Sequence, residues 1–193
     1  MPGAPSRPES PDLEELGLDE RIADAFAPHG ESGMALGRVC KVAKGAHTVF
    51  TAAGEVLAEP SVRLVKSVDG TEGMPAIGDW VALRWAQGDS QALIDVVLER
   101  SSAFVRRDPG QSAGSQVLAA NMETVLLAHS LDAPLNVRLL ERELVLGWES
   151  GATPVVLLTK ADLSDEPDEV AEEVRSLAGD VAVHVTSAID GRG

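Results

Sequence analysis

The sequence predicts two units in tandem, an all-β barrel followed by part of a doubly wound α/β sheet. Three observations carry this. Between residues 36 and 99 the chain reads as short β-rich runs broken by turn residues, with no long helical period. From Thr124 onward, near-continuous Val and Leu runs alternate with helical stretches, the mark of a parallel sheet with crossover helices. The charge shifts with the texture: residues 1–35 carry two basic and eight acidic side chains, residues 36–107 nine and eight, and residues 108–193 five and fifteen.

In chain order, the first eleven residues hold four prolines and read as a mobile tail. Residues 13–26 suggest a short amphipathic helix, capped by Asp19, with Ile22 and Phe26 on one face, and stopped by Pro28 and Gly30. Tail and helix make up residues 1–35. The barrel occupies residues 36–100. LGRVCKVA, AHTVFTAA after Lys44-Gly45, and EVLAEPSVRLVKS after Gly54 are three β-rich runs; a Gly-rich loop, DGTEGMPAIG, leads to DWVALRW, and Gly88-Asp89 turns into ALIDVVLE. Five strands in about 65 residues fit a small closed barrel, of which the OB-fold is the common five-stranded form. Residues 101–116, SSAFVRRDPGQSAGSQ, read as a polar linker. Residues 117–193 hold the strand TVLLAHS, the helix NVRLLERELVLGWES, the strand TPVVLLT, the helix EPDEVAEEVRSLAG and the strand DVAVHVT. Three strands make only part of a doubly wound domain.

With 44% hydrophobic and 24% charged residues, the chain is neither disordered nor collagen-like. The single cysteine, Cys40, has no partner for an intrachain disulfide and cannot supply a thiolate zinc site. His29, His47, His129 and His184 lack metal-ligand spacing, so neither a metal site nor a catalytic residue is expected within these residues. No apolar run approaches a bilayer span, and MPGAPSRPES lacks a secretory apolar core, so the expectation is a soluble cytoplasmic protein with no membrane partner. A net charge of −15 argues against indiscriminate adhesion to nucleic acid. Any RNA contact has to use the middle third, where Arg38, Lys41, Lys44, Arg63, Arg84, Arg100, Arg106 and Arg107 are candidates for a basic face, with solvated rim charge as the alternative. Aromatics are only 3%, which limits stacking to Phe50 or Trp85 and leaves Trp80 and Trp148 as core residues. That balance favours recognition of RNA backbone and shape over base stacking.

The informative chemistry lies at two strand ends, where open parallel sheets bind ligands. In VVLLTKAD, Thr159, Lys160 and Asp162 follow a buried strand; in VAVHVTSAIDGRG, Ser187 and Ala188 follow the next. One crossover helix separates them, so adjacent parallel strands bring both loops to one edge. A carboxylate there suits guanine. Asp162 can accept from both N1–H and the exocyclic amine, a bidentate charge-assisted pair, and adenine lacks that edge. Lys160 can lay its stem along the purine, and the Ala188 N–H can donate to O6. T-K-x-D alone also fits a helix start with a solvated Lys and a capping Asp; the second element at the next strand end favours the base site. No G-x-x-x-x-G-K-[ST] phosphate loop is present, since neither Gly37-Arg38-Val39 nor residues 110–114 lead into Gly-Lys-Ser/Thr. Either the chain is a non-GTPase lookalike, or its phosphate loop lies downstream in a permuted order.

A barrel with Ile77-Gly78-Asp79-Trp80-Val81, then the segment 100–107, then LAANMETVLLAHSLDAPLNVRLLERELVLGWESGATPVVLLTKADL and VHVTSAIDGRG, resembles the circularly permuted ribosome small subunit-dependent GTPase A family (RsgA/YjeQ) from about residue 37 to residue 193. Two departures are visible: Thr159 stands where the family often has Asn, and Asn121-Met122-Glu123 stands for its Asn-x-Asp. The resemblance implies an OB-fold, then the guanine-recognition elements, with the phosphate loop, switches and a zinc domain downstream of Gly193. It implies GTP/GDP as ligand, with Mg2+ and a C-terminal structural Zn2+ only in the full-length parent. The implied function is GTP hydrolysis coupled to late maturation of the small (30S) ribosomal subunit, through contact of the barrel with its rRNA. These residues alone are then expected to be inactive. The competing reading is a non-catalytic RNA-binding OB module fused to a degenerate α/β domain, and the codons after Gly193 separate the two.

Overall fold

The computed structural model describes residues 12–43, 45–68, 70–85, 91–107 and 115–193. The proline-rich start, Lys44, the Gly88-Asp89 turn and residues 110–114 lie outside them. The chain divides into two compact units, one reaching to Ser101 and including Val105–Asn121, the other made of Ser102–Phe104 and Met122–Gly193.

In the first unit, helix α1 (Glu20–Glu31) opens as expected, with the Asp19 carboxylate accepting the Ile22 N–H at 2.8 Å. It begins later and ends later than the periodicity suggests. Residues 13–17 turn back on themselves, and the helix runs through Pro28 to Glu31, where its last carbonyls are taken from beyond it: Pro28 O by Ser32 Oγ (3.0 Å), His29 O by Ser32 N (3.1 Å) and Gly30 O by Gly33 N (2.9 Å).

Strands β1 (Ala35–Ala43), β2 (Ala46–Thr51), β3 (Gly54–Pro60), β4 (Trp80–Trp85) and β5 (Ala92–Val97) close a barrel in the order β1-β2-β3-β5-β4. Every pairing is antiparallel except β3 with β5. The third β-rich run is only half strand. After Pro60, Ser61 accepts the Leu64 N–H at 3.1 Å and starts α2 (Val62–Ser67), whose Leu64 plugs the barrel interior. Each strand sends residues into that core: Val39, Val49, Ala58, Val81, Leu83, Ala92 and Ile94. A second cluster joins Leu13 and Ile22 to Trp80 and Leu98 and seats α1 on the outside of the barrel. Gly78, at φ +89°, passes so close to Ala120 that a Cβ would lie 2.1 Å from its carbonyl oxygen. Glycine in the Ile77-Gly78-Asp79 motif is therefore a steric requirement.

The expected linker is partly structured. Ala103–Arg107 forms β6 and Ser115–Ala120 forms β7, and the two pair as a two-stranded sheet in which Val117 and Ala120 are buried. The Gly/Ser composition that suggested a linker belongs mainly to the stretch between these strands.

The second unit follows its periodicity closely. Strands β8 (Thr124–Ser130), β9 (Thr153–Thr159) and β10 (Ala182–Val185) form a parallel sheet in the order β10-β9-β8, with α3 (Val137–Glu149) and α4 (Pro167–Ala178) as the crossovers. Leu127, Val156 and Leu158 of the sheet pack with Leu140 and Leu144 of α3 and with Ala171 and Val174 of α4, so both helices cover one face. Asn136 caps α3 through the Leu139 N–H, and Pro167 opens α4 with Asp168 and Glu169 in its first turn. Trp148 is a correction: it is 56% exposed rather than core. The buried stripe of α3 runs Leu140, Leu144, Gly147, and Trp148 lies one residue round from it. Among the described residues no helix is long and apolar enough to cross a membrane.

Candidate functional site

Three strand ends meet in the second unit. The ladder continues past the strands: Leu131 N–H donates to Thr159 O (2.9 Å), Thr186 N–H to Leu158 O (2.8 Å), and Ala161 N–H to Thr186 O (3.1 Å). Thr159 closes β9, and its hydroxyl donates to His129 O at 3.3 Å across to β8. Lys160 then leaves the strand in the left-handed conformation, at φ +55° and ψ +44°, and starts a 3-10 turn, Ala161–Leu163. That conformation is disfavoured for any residue with a Cβ, and such strain gathers at binding sites. It places Asp162 opposite the loop after β10.

Ser187 holds Asp162. The Ser187 side chain is 3% exposed; its hydroxyl donates to Asp162 Oδ1 at 2.6 Å and accepts the Ile189 and Asp190 N–H groups at 3.2 and 3.4 Å. Its own backbone is pinned by Ser187 N–H to Arg192 O at 2.8 Å. One carboxylate oxygen is thus fixed from behind while Asp162 remains exposed in front. Beside it, the Ala188 N–H donates to no acceptor among the described residues. Thr159, Lys160, Asp162, Leu163, Thr186, Ala188 and Ile189 line a cavity of about 580 Å3. The walls are largely apolar, and Leu163 and Ile189 are 60% and 84% exposed. A carboxylate next to a free N–H between apolar walls complements a flat ligand whose edge carries donors beside an acceptor.

Of the five residues expected at the base site, Thr159, Lys160, Asp162 and Ala188 line this cavity, and Ser187 stands behind Asp162. Four others were not read from the sequence, among them Thr186 at the end of β10, which also lines the cavity. Leu163 and Ile189 form walls; Asp132, two residues beyond β8, takes the Lys160 ammonium. The Lys160 ammonium holds the Asp132 carboxyl below the usual carboxylate range. The signal for Asp132 was its place at a parallel strand end. Next to it, His129 is buried with Nε2 2.8 Å from Glu143 Oε2.

In the barrel unit, three of the eight basic candidates spend their guanidinium groups on the protein itself. Arg38 donates to Gly78 O (3.2 Å), to Asn121 O (2.9 Å) and to Leu16 O, and lies 5.6 Å over the Trp80 ring. Arg84 grips Asp95 through two bonds, 2.6 and 3.2 Å, and holds that carboxyl below its ordinary range. Arg100 binds both Asp79 oxygens at 2.7 Å, together with Glu72 O and Met74 O. Lys41, Arg63 and Arg106 are exposed and make no hydrogen bond or ion pair among the described residues. Arg107 ends β6, and Lys44 lies outside the described residues. Among the described residues no group of three or more His, Cys, Asp or Glu side chains could hold a metal ion, so neither Mg2+ nor Zn2+ finds such a ligand set there.

Comparison with known proteins agrees with this architecture. The family model described as RsgA GTPase matches residues 97–193. The small ribosomal subunit biogenesis GTPase RsgA of Opitutus terrae is 38% identical over 189 residues, covering 94% of this chain and 52% of that protein. Its namesake from Streptomyces coelicolor is 38% identical over 184 residues, covering 94% and 49%. Among solved structures, YjeQ from Thermotoga maritima aligns with a TM-score of 0.60 at 22% identity, over 83% of this chain and 54% of that one. YloQ, a circularly permuted GTPase, aligns with a TM-score of 0.59 at 20% identity, over 81% and 52%. The chain spans about half the length of the curated relatives it matches. With its family model covering half of the residues and the barrel-then-parallel-sheet order shared with those structures, this chain belongs to the RsgA GTPase family.

Proposed function

We propose that these residues form the barrel and guanine-recognition part of a cytoplasmic GTPase acting in biogenesis of the small ribosomal subunit. The observation that carries the reading is the Ser187-braced Asp162 carboxylate beside the free Ala188 N–H. Guanine presents N1–H and the exocyclic amine to the carboxylate and O6 to the amide, while adenine offers neither donor pair nor acceptor there. Thr159 steadies the β9 end through His129 O, and the Lys160 stem, Leu163 and Ile189 enclose the ring. Mg2+, when bound in such a GTPase, neutralises charge on the β- and γ-phosphates. The residues described here do the other half of the task, holding and orienting the base of GTP or GDP.

Titrating the 15N-labelled chain with GMP and AMP tests this by NMR. GMP should shift the amides of residues 160–163 and 186–189, and AMP should bind at least about tenfold more weakly. Because no phosphate-loop motif occurs in the sequence, GTP turnover should stay at the protein-free background. Equal response to both nucleotides would remove the base site, and saturable turnover would place a phosphate site within these residues after all.

The unit that holds the barrel and Arg106 and Arg107 of β6 is the proposed rRNA contact, supported by the middle third being the one part of the chain that is not strongly acidic. Arg106→Ala with Arg107→Ala should weaken pelleting with small subunits and flatten the salt dependence by about one unit of log–log slope per lost phosphate contact. A double variant with unchanged affinity and slope leaves both as solvated charges.

A further inference from the structure

The Lys160–Asp132 pair is not explained by the fold. Both side chains are substantially exposed, 52% and 41%, and an ion pair so exposed adds little stability. Its position is nevertheless fixed from both sides. Ser130 pairs with Thr159 in the β8–β9 register, and Leu131 N–H donates to Thr159 O, which sets Asp132 beside Lys160 at the strand ends. On the other side, Lys160 adopts its left-handed backbone immediately after β9. The lysine is therefore held at both ends, by its backbone turn and by its ammonium, and the stem between them belongs to the cavity wall.

The site contains two carboxylates, and only one is suited to the ligand. Asp162 has its Oδ1 taken by Ser187 and faces the cavity. Asp132 lies outside the cavity lining and takes the only ammonium there. An untethered lysine would swing its charge toward Asp162 and neutralise the acceptor that a donor edge needs. It would also have to surrender the freedom of a long, flexible stem when a ligand binds.

We propose that Asp132 is a positioning residue of the base pocket, anchoring the Lys160 ammonium at the end of β8 so that the stem lies ordered along the wall and Asp162 stays open to the ligand. This rests on the guanine reading of that pocket. Asp132 touches no ligand itself; it acts through Lys160.

The test is a double-mutant cycle on the full 193-residue chain, with GMP as probe and affinity read from the amides of residues 160–163 and 186–189. Asp132→Asn should weaken GMP about 3- to 10-fold, as loss of pre-organisation does, and narrow without reversing the preference for GMP over xanthosine monophosphate. Lys160→Met keeps the stem and removes the charge. On that background Asp132→Asn should have no further effect, and Asp132→Glu on the wild-type background should recover part of the affinity. An unaltered Asp132→Asn, or additive losses in the double variant, overturns the positioning role; additivity would mean that Asp132 meets the ligand directly. Asp162→Asn in the same titration separates the two ideas. If it leaves GMP preference intact, or if the wild-type chain shows no GMP response, the guanine reading fails and this inference with it. If it reverses preference while Asp132→Asn is silent, only the positioning role fails. Unchanged melting temperatures across the set exclude misfolding.

Discussion

Asp162→Asn should convert the pocket from guanine to xanthine. GMP affinity is expected to fall about 30-fold, the low end of what losing a charge-assisted hydrogen-bond pair costs (about 2–4 kcal/mol), because Asp162 is open to water on one side. Xanthosine monophosphate, which the wild-type carboxylate repels through its 2-oxo group, should gain by a comparable factor. Ser187 decides which way the new amide points. Its hydroxyl already accepts two N–H groups, from Ile189 and Asp190, so its proton must be donated forward to position 162. An asparagine there satisfies Ser187 only by turning its oxygen toward the serine, and its NH2 then faces the ligand. That NH2 opposes the guanine amine and matches the xanthine oxygen. Asp162→Ala should lose GMP without gaining xanthosine monophosphate. Competition titrations with both nucleotides read the switch, and an unchanged preference for GMP would reduce Asp162 to a turn cap.

The α/β unit was legible because each of its elements states its period without conflict. TVLLAHS, TPVVLLT and DVAVHVT are too apolar for exposed strands, and the two helical stretches carry caps, Asn136 before α3 and Gly179 after α4. From such elements the meeting of the Asp162 and Ser187 loops follows by topology alone. Asp132 did not follow, because its one signal, a place just past the end of β8, does not say which side chain it meets. Its partner is set by the β8–β9 register, which no single-strand pattern encodes. Leu163 and Ile189 were hidden for the opposite reason: apolar residues next to a motif read as core, and only the fold shows them 60% and 84% exposed.

The barrel was harder to read where short elements compete. SVRLVKS carries two β-branched residues, Val62 and Val65, directly after a strand, yet Ser61 as a cap and the plug position of Leu64 make it α2. β6 and β7 escaped because five and six residues on either side of a Gly/Ser stretch are too short to outweigh its composition. The basic residues illustrate a further limit. Charge counting treats Arg38, Arg84 and Arg100 as equivalent to Lys41 and Arg106, whereas hydrogen bonding divides them: the first three meet carbonyls and carboxylates of the barrel unit, the others meet water.

Arg100→Met should destabilise the barrel more than any other single change to a charged residue discussed above. Asp79 is fully buried, and its two oxygens accept from Arg100 at 2.7 Å each, with the Ala76 N–H as a third donor at 2.7 Å. The same guanidinium also donates to Glu72 O (2.6 Å) and Met74 O (2.9 Å), so one side chain ties the loop before β4 to the chain leaving β5. Methionine fills much of the volume but leaves a buried carboxylate with one N–H donor and two carbonyls without theirs. Removing one partner of a buried pair costs about 3–5 kcal/mol, which lowers the melting temperature of a domain this size by more than about 10 °C. Arg100→Lys should rescue little, because an ammonium cannot reproduce a planar fork bonded to four acceptors. Adding Asp79→Asn to Arg100→Met should recover about half of the loss, since the buried charge disappears and only hydrogen bonds remain unmade. Thermal and urea unfolding of the four proteins measure this. If Arg100 instead were a solvated ligand for RNA phosphate, Arg100→Met would change unfolding by less than about 0.5 kcal/mol and show its effect only in binding to small subunits. An unshifted melting curve for Arg100→Met would therefore return Arg100 to the RNA-facing set and leave Asp79 to be stabilised by the Ala76 amide alone.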